Sequence, residues 1–398
     1  MTLRRRRTMN ILYFAFSSPK YDGVTKKIIS QHKNICKNNL DIKTYLIGNS
    51  VYDKEVLEKI KNNNIKAIAL KEQDASRNKY LKRTKKFNIM MDIIKKNDPV
   101  ATIVYLRYPA ADTIFYKFIK EISCCGYSVI TEHQEKENSK MAMFETPLRF
   151  FLELVYGRLV REKIAGYVAV TNEILEYQIG KYGKRKAGIV IGNGIEVEES
   201  PMRIAPSHMP DKSNALKILF VGSGYYIHGL DRLVKGMLNY HGKIEIETHI
   251  LGNGPEMPRL KKIINNTRVE NKIIFHDYLT GPELDKMFNT CHIAVGGMGF
   301  HRKNLKETSE LKAREYCARG IPFISSGNDA DFPTDFVFRY GVKPDESPLD
   351  MNEVIAFSKK VLSDPLHPNK MREYAKKNLE WYVKMERIKQ MIEDIKRK

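Results

Sequence analysis

What most constrains the fold is a repeated alternation of short apolar runs with longer stretches of helical spacing. "NILYFAFS" opens the series just after Met9, and residues 24–36 follow with a helical pattern. Then come "KTYLIG", "KAIAL", "TIVYL", "SVIT", "YVAV" and "GIVIG", most of them separated by further helical intervals. Runs this apolar leave neither face for water, so they predict strands of a parallel sheet covered by helices on both sides. The pattern breaks in a polar, proline-containing stretch, "EESPMRIAPSHMPDKSNA". It resumes with "KILFVG", "IETHILG", "NKIIFH", "HIAVGG" and "IPFISS". The expected organisation is α/β: an N-terminal Rossmann-like domain over 1–200, a linker over 201–215 and a second Rossmann-like domain over 216–370. A helical segment over 371–398 is free to return to the first domain. A length of 398 residues fits two domains at roughly 100–200 residues each.

Charge narrows the partners without choosing one. The net charge of +21 fits nucleic acid, anionic lipid or phosphorylated substrates. Enrichment in Lys, Asn and Ile along the whole chain is an equally good source of that charge. Zinc-finger and aromatic RNA-binding signatures are missing, so nucleic acid is not the expected partner. The five cysteines, Cys36, Cys124, Cys125, Cys291 and Cys317, form no C-x-x-C pair and read as structural thiols in a reducing cytosol. No apolar run reaches the ~18 residues of a membrane span. The start, "MTLRRRRTMN", is basic with no long apolar region behind it, so no secretory signal is expected, and Arg4–Arg7 read as a frayed tail. The expected location is cytoplasmic.

In open α/β sheets, ligands bind beyond the carboxyl ends of the strands, and the informative residues of this chain follow strands. Gly222, Ser223 and Gly224 come after "KILFV", and Gly252, Asn253 and Gly254 after "IETHIL". Each group reads either as a tight turn or as a place where backbone N–H groups approach a phosphate. The segment "KETSELKAREYCARGIPFISS" then sets two acids, Glu307 and Glu315, eight positions apart. Thr308 or Ser309 is suited to cap a helix that runs to about Arg319. Glu307 would lie in the preceding loop and Glu315 two turns into the helix. Eight residues of continuous helix would rise ~12 Å, so the two acids can grip different ends of one extended ligand. Lys312, Arg302, Lys303 and the helix N-terminus supply positive charge between them. A ligand with hydroxyls at both ends and phosphate in the middle is a nucleotide sugar. Against this stands chance, because two glutamates at a given spacing occur in any charged chain.

These residues resemble the retaining glycosyltransferases of family 4, which have the two-domain GT-B fold with the domains facing across a cleft. Glu307, Glu315 and "CARGIPFISS" are similar to that family's Glu-x7-Glu and Gly-x-Pro segment. "FVGSGYYIHGLDRLVKGM", "HILGNGPEMPRL" and "VIGNGIEVE" (with Asn193, Gly194, Ile195 and Glu196) resemble other segments of it. The resemblance implies a hexosyltransferase-type enzyme that moves a sugar from a nucleoside diphosphate to a glycan or lipid-linked acceptor, with retention, in bacterial surface-polysaccharide assembly. It implies that Glu307 contacts the donor sugar and Glu315 the ribose. Gly23 would lie in a loop facing the donor phosphates, and His133 would act in the first domain's active site. The turns at Gly222, Gly224, Gly252 and Gly254 would line the donor. Ser223 and His228 stand where the family usually carries Arg and Lys, so Arg302, Lys303 and Lys312 are expected to meet the diphosphate. No metal or other cofactor is implied, and no Asp-x-Asp stands where it would hold a metal.

Rival readings remain: a sugar-nucleotide epimerase on a similar fold, or a non-catalytic basic protein that binds polyanions or membranes. Two stretches bear on the membrane. Within 78–99, Phe87, Met90, Met91 and Ile94 share a helical face amid many lysines. Within 147–160, Leu148, Phe151, Leu152, Val155 and Leu159 recur at helical spacing. Each either packs on its own sheet or lies on an anionic inner leaflet as a peripheral contact.

Overall fold

The computed structural model describes residues 9–19, 22–38, 40–48, 50–69, 78–137, 143, 146–184 and 186–397. The basic run Arg4–Arg7 lies outside them. The chain divides into two units, one of Met1–Gly192 with Trp381–Lys398, the other of Asn193–Glu380.

The first unit is built on strands β1 (Asn10–Phe16), β2 (Asp41–Ile47), β3 (Lys66–Ile68), β4 (Thr102–Arg107), β5 (Ser128–His133), β6 (Gly166–Ala169) and β7 (Ala187–Val190). They form a parallel sheet in the order β3-β2-β1-β4-β5-β6-β7. Alternate residues of β1 enter different cores. Ile11, Tyr13 and Ala15 join one cluster, while Leu12 and Phe14 join the other. That is the period-2 geometry of a strand whose two faces are both covered. The helix Lys79–Ile94 buries Phe87, Met90, Met91 and Ile94, so that stretch packs on its own sheet. The helix Pro147–Lys163 does the reverse. Leu148 and Val155 are 73% and 61% exposed, and Phe151, Leu154 and Leu159 face outward with them.

The second unit uses β8 (Leu216–Val221), β9 (Ile246–Leu251), β10 (Ile273–His276), β11 (Ile293–Val295), β12 (Phe323–Ser326) and β13 (Arg339–Val342). Their order is β10-β9-β8-β11-β12-β13, again parallel. The order in which the strands are laid down reverses between β8 and β11, the switch point where such sheets leave a crevice for ligands.

The units divide earlier than residue 200. Asn193 donates its backbone N–H to Ser309 Oγ at 2.7 Å and Ile195 donates to Leu379 O at 2.9 Å, both within the second unit. Residues 201–215 are likewise anchored there. The buried Arg203 guanidinium donates to Gly320 O at 2.9 Å and Cys291 O at 2.7 Å, and contacts His367 Nε2 at 2.7 Å. The helix His367–Asn378 stays with the second unit, whose core takes Met371 and Ala375. The chain rejoins the first unit at Trp381. The helix Trp381–Arg397 inserts Trp381, Met385, Ile388, Met391 and Ile392 into that unit's core.

Candidate functional site

Loops from the carboxyl ends of three strands meet around the switch point of the second unit. Beyond β8, Gly222 to Gly224 lead into a short turn, Tyr226–His228; beyond β11, Gly296 to Gly299 lead into Phe300–Lys303. The two turns are tied by Met298 N to His228 O at 3.0 Å and Gly299 N to Ile227 O at 3.1 Å. Above them starts the helix Leu311–Arg319. Its Tyr316 hydroxyl accepts from Val221 N at 3.1 Å and donates to Val295 O at 3.1 Å, spanning the two diverging strand ends. Neither Thr308 nor Ser309 caps this helix. Ser309 is engaged by Asn193, through its hydroxyl and its carbonyl, and the cap position falls to Glu310.

The two glycine turns are explained by each other. A Cβ on Gly252 would stand 2.0 Å from Gly222 O, and one on Gly254 would stand 1.3 Å from Ser223 O. Gly222 has a further neighbour: a Cβ there would lie 2.9 Å from Lys312 Nζ. The Lys312 ammonium occupies that gap, 4.2 Å from the centre of the Phe220 ring. It is sealed from solvent and has no hydrogen-bond partner among the described residues. Burial lowers its pKa to about 8, although the Glu310 carboxylate opposes the shift. The chain therefore holds a cation at the switch point with its hydrogen-bonding capacity unused, at a cost that an anionic ligand would offset.

Sequence reasoning missed the residues that hold this lysine in place. Glu310 takes the Gly297 N–H on both carboxylate oxygens, at 2.9 and 2.8 Å, and Gly296 and Gly297 leave it room. Burial raises its pKa, with Lys312 pulling the other way. Arg314 is fully buried and donates to Asn193 O at 2.9 Å, to both oxygens of Asp329 and to Asp331. That fork fixes the start of the helix to the loop after β12. The Asp-x-Asp sequence Asp329-Ala330-Asp331 is thereby committed to Arg314. Among the described residues no three His, Cys, Asp or Glu side chains converge on a metal position. The third glycine turn, "VGGMG", was the available signal for Glu310; Arg314 left none.

Of the expected site residues, Glu307 lies half-buried in the loop before the helix. It bridges Asn328 through the backbone, with Thr308 N to Asn328 O and Asn328 N to Lys306 O both at 2.7 Å. Glu315 lies one turn past Lys312, half-buried, and accepts from Arg319 Nε at 2.9 Å. Lys303 sits near enough to His228 to act on its charge. His228 is a neutral acceptor. Its Nδ1 takes the Tyr225 N–H at 3.0 Å, and burial, Lys312 and Lys303 together push its pKa down to about 2.

Two expectations are corrected. Arg302 is not available to a phosphate, because its guanidinium is already neutralised. It donates to both oxygens of Asp231 at 3.0 Å, to Glu346 at 2.9 and 2.6 Å and to Tyr226 O at 2.6 Å. His133, the last residue of β5, cannot touch a substrate. Its side chain is 0% exposed, its Nδ1 lies 2.7 Å from Glu137 and its Nε2 lies 2.9 Å from Thr131 Oγ1. Nδ1–H donates to the Glu137 carboxylate, so Nε2 accepts from the threonine hydroxyl. The ring lies 4.4 Å from the Tyr108 ring, tilted by 32° to it, and Arg161 ties Glu137 to Glu153 behind it. Burial lowers the His133 pKa despite Glu137. In the same unit Gly23 opens the helix Gly23–Lys37. Asp22 caps it by accepting from Val24 N at 3.0 Å and Thr25 N at 2.9 Å.

Comparison with known proteins agrees with this architecture. Residues 207–378 match the family model described as glycosyl transferases group 1. No curated protein matches the chain. Among solved structures, a glycosyltransferase from Rickettsia africae superposes with a TM-score of 0.67 at 15% identity, covering 98% of each chain. The lipopolysaccharide outer core galactosyltransferase WaaB gives 0.65 at 14% identity, over 97% of this chain and 99% of that one. HepE of Anabaena, in complex with UDP and glucose, gives 0.67 at 11% identity, over 97% and 100%. At such identities these likenesses establish the fold. With a group 1 domain over 207–378 and two Rossmann-like parallel-sheet units in series, the chain is a glycosyltransferase of the GT-B fold.

Proposed function

We propose that the protein transfers a hexosyl group, with retention, from a nucleoside-diphosphate sugar to a glycan or lipid-linked acceptor in surface-polysaccharide assembly. The observation that carries this reading is the sealed, unpartnered Lys312 ammonium beside Gly222, at the switch point of the second sheet. In such a transfer, negative charge builds on the departing diphosphate, and a preorganised cation aimed at it contributes most in a site that excludes water. Lys312 supplies that charge and Lys303 adds to it. Glu307 receives the sugar hydroxyls and Glu315 those of the ribose. A UDP- and glucose-bound structure of the same fold supports a uridine nucleotide as the first donor base to test. WaaB, as a lipopolysaccharide galactosyltransferase, supports the surface-glycan setting. With lysine charge on the diphosphate and no acidic cluster to hold a metal among the described residues, we expect turnover to persist in EDTA.

The outward stripe on Pro147–Lys163 supports a cytoplasmic enzyme that rests reversibly on the inner leaflet. Leu148, Phe151 and Val155 would enter the interface, with Arg149 and Arg158 beside them for anionic headgroups. No described helix is long and apolar enough to cross a membrane.

The test is thermal unfolding with a panel of nucleoside diphosphates and their sugars, because a ligand that binds the native state raises its stability by mass action. Stabilisation by one diphosphate and its sugar is expected. A flat panel would remove the donor reading, and salt-insensitive or absent sedimentation with anionic vesicles would remove the membrane one.

A further inference from the structure

A row of polar side chains runs along one face of the second sheet. Glu247 and His249 lie on β9, and His276 is the last residue of β10. His249 Nε2 lies 2.7 Å from Glu247 Oε1, and His249 Nδ1 lies 3.0 Å from His276 Nε2. Lys217 of β8 reaches the same Glu247 oxygen at 3.2 Å. Two residues past His249, and so on the same face, Leu251 joins an apolar core with Phe288 of the helix Gly281–Thr290. Polar groups in that setting lose hydration that apolar side chains would not.

The row fixes where its protons sit. Although burial opposes it, His249 and Lys217 hold the Glu247 carboxyl below its ordinary pKa. A carboxylate only accepts, so His249 carries its proton on Nε2 and donates to Glu247. In the neutral ring His249 Nδ1 is then an acceptor, and His276 Nε2–H donates to it. Burial lowers the His276 pKa, and His249 adds to the shift, so this ring is neutral at pH 7 and its Nδ1 keeps a lone pair. That atom has no hydrogen-bond partner among the described residues, and the residue is half-buried.

The relay ends beside the candidate site. The carboxyl ends of three neighbouring strands follow one another across the sheet: Gly222 after β8, Gly252 after β9 and His276 on β10, whose carbonyl accepts from Gly252 N at 3.2 Å. Two strand spacings, roughly 10 Å, separate β10 from β8, where the Lys312 ammonium lies against Gly222. Glu315, one turn past Lys312, leads the same way. Arg319 bonds it at 2.9 Å and bonds Asp285 at 2.7 Å, on the helix that follows β10. With the diphosphate on Lys312 and the ribose on Glu315, the base falls toward the end of β10.

We propose that His276 reads the nucleobase of the donor: its Nδ1, whose free lone pair is set by Glu247 through His249, accepts a ring N–H of the base. Uracil at N3 and guanine at N1 carry that proton. Cytosine at N3 and adenine at N1 carry a lone pair, which would face another. The enzyme therefore takes uridine or guanosine diphosphate sugars and turns away the cytidine and adenosine ones. His276 makes the contact, and Glu247 and His249 are positioning residues. The inference deepens the proposed function by naming the donor class, and it rests on the donor reading.

The test is calorimetric titration of the full chain at pH 7 with UDP, CDP, GDP and ADP. Within the pair whose size the site admits, UDP with CDP or GDP with ADP, the N–H member should bind at least about tenfold more tightly, because the other leaves polar atoms unpaired. His276→Phe keeps a ring and removes the acceptor. The preferred diphosphate should then lose about tenfold in affinity and its counterpart should change little. Glu247→Gln gives position 247 a donor for His249 Nε2, which reverses the relay and puts a proton on His276 Nδ1; it should narrow the same preference. The Glu247 side chain is 30% exposed, so this variant reports even if His276→Phe fails to fold. Equal or reversed affinities within the pair, or a preference untouched by the variants, would overturn the inference and leave the donor reading standing. Failure of all four diphosphates to bind would overturn both.

Discussion

Replacing Lys312 by methionine should make the empty protein more stable and the enzyme inactive, an opposition that few substitutions produce. Methionine keeps most of the volume and loses the charge. Burial moves the ammonium from 10.5 to about 8. At ~1.4 kcal/mol for each tenfold change in proton affinity, that is on the order of 3 kcal/mol against the native state at neutral pH. The sign follows from the direction. Below pH 8 the lysine is charged in both states and the penalty is fully present; it fades as pH rises from 8 toward 10.5. That shift already includes the attraction of the Glu310 carboxylate; the variant leaves this buried carboxylate without its neighbouring cation, so a net gain of about 1–2 kcal/mol is expected from Lys312→Met at pH 7. Against this, losing a charged hydrogen bond to the diphosphate should weaken nucleotide binding by about 10- to 100-fold. Binding should also couple to pH. The bound diphosphate raises the lysine pKa, so wild-type affinity for UDP should fall between pH 7.5 and 9.5, by up to about tenfold per pH unit above 8. The variant should lack that component. Chemical denaturation of the empty protein and calorimetric titration of UDP across pH would measure both effects. A variant that is less stable when empty, or that binds UDP with wild-type affinity and pH dependence, would refute the argument.

Other substitutions separate the parts of the site. Arg314→Leu strands Asp329 in the interior and should cost about 3–5 kcal/mol, read from the urea midpoint of the second unit. Glu307→Gln should reduce sugar transfer at least about 100-fold with UDP affinity unchanged, if the side chain acts on the sugar in the transition state. Glu315→Gln should instead weaken UDP binding about tenfold; its pair with the largely buried Arg319 is partly exposed, so stability should change little. Phe151→Ser with Val155→Ser removes exposed apolar surface only. It should abolish sedimentation with anionic vesicles and leave the melting temperature and UDP affinity as they were.

The strands were legible because a doubly covered sheet writes itself as unbroken apolar runs. The runs named in the sequence correspond to β1 through β12. The strand that went unread, β13, is "RYGV" at the sheet edge, part-exposed along its length. It has no apolar run to announce it. The helix starts one residue later than a Ser309 cap would place it, because Ser309, a good cap in isolation, is drawn off by Asn193 from far along the chain. The same distance effect governs the site. Lys312 was recognisable as a cation, but its sealing depends on Phe220 and Gly222. Arg302 looked equally suitable, yet Asp231 and Glu346 consume it. The apolar stripe of Pro147–Lys163 was visible in the sequence. Which side of a helix its neighbours cover is decided by packing, which no local pattern records.

The final helix has a consequence for the order of synthesis. Trp381, Met385, Ile388, Met391 and Ile392 belong to the core of the N-terminal unit, and side chains of that kind are worth about 1.5–3 kcal/mol each when buried. Together they rival the entire stability of an ordinary domain. The nascent N-terminal unit therefore waits, incomplete, while the whole second unit, Asn193–Glu380, is translated. Its missing wedge leaves the ribosome only after that unit. A premature stop that spares every residue around Lys312 would still leave the opposite half of the enzyme unfinished.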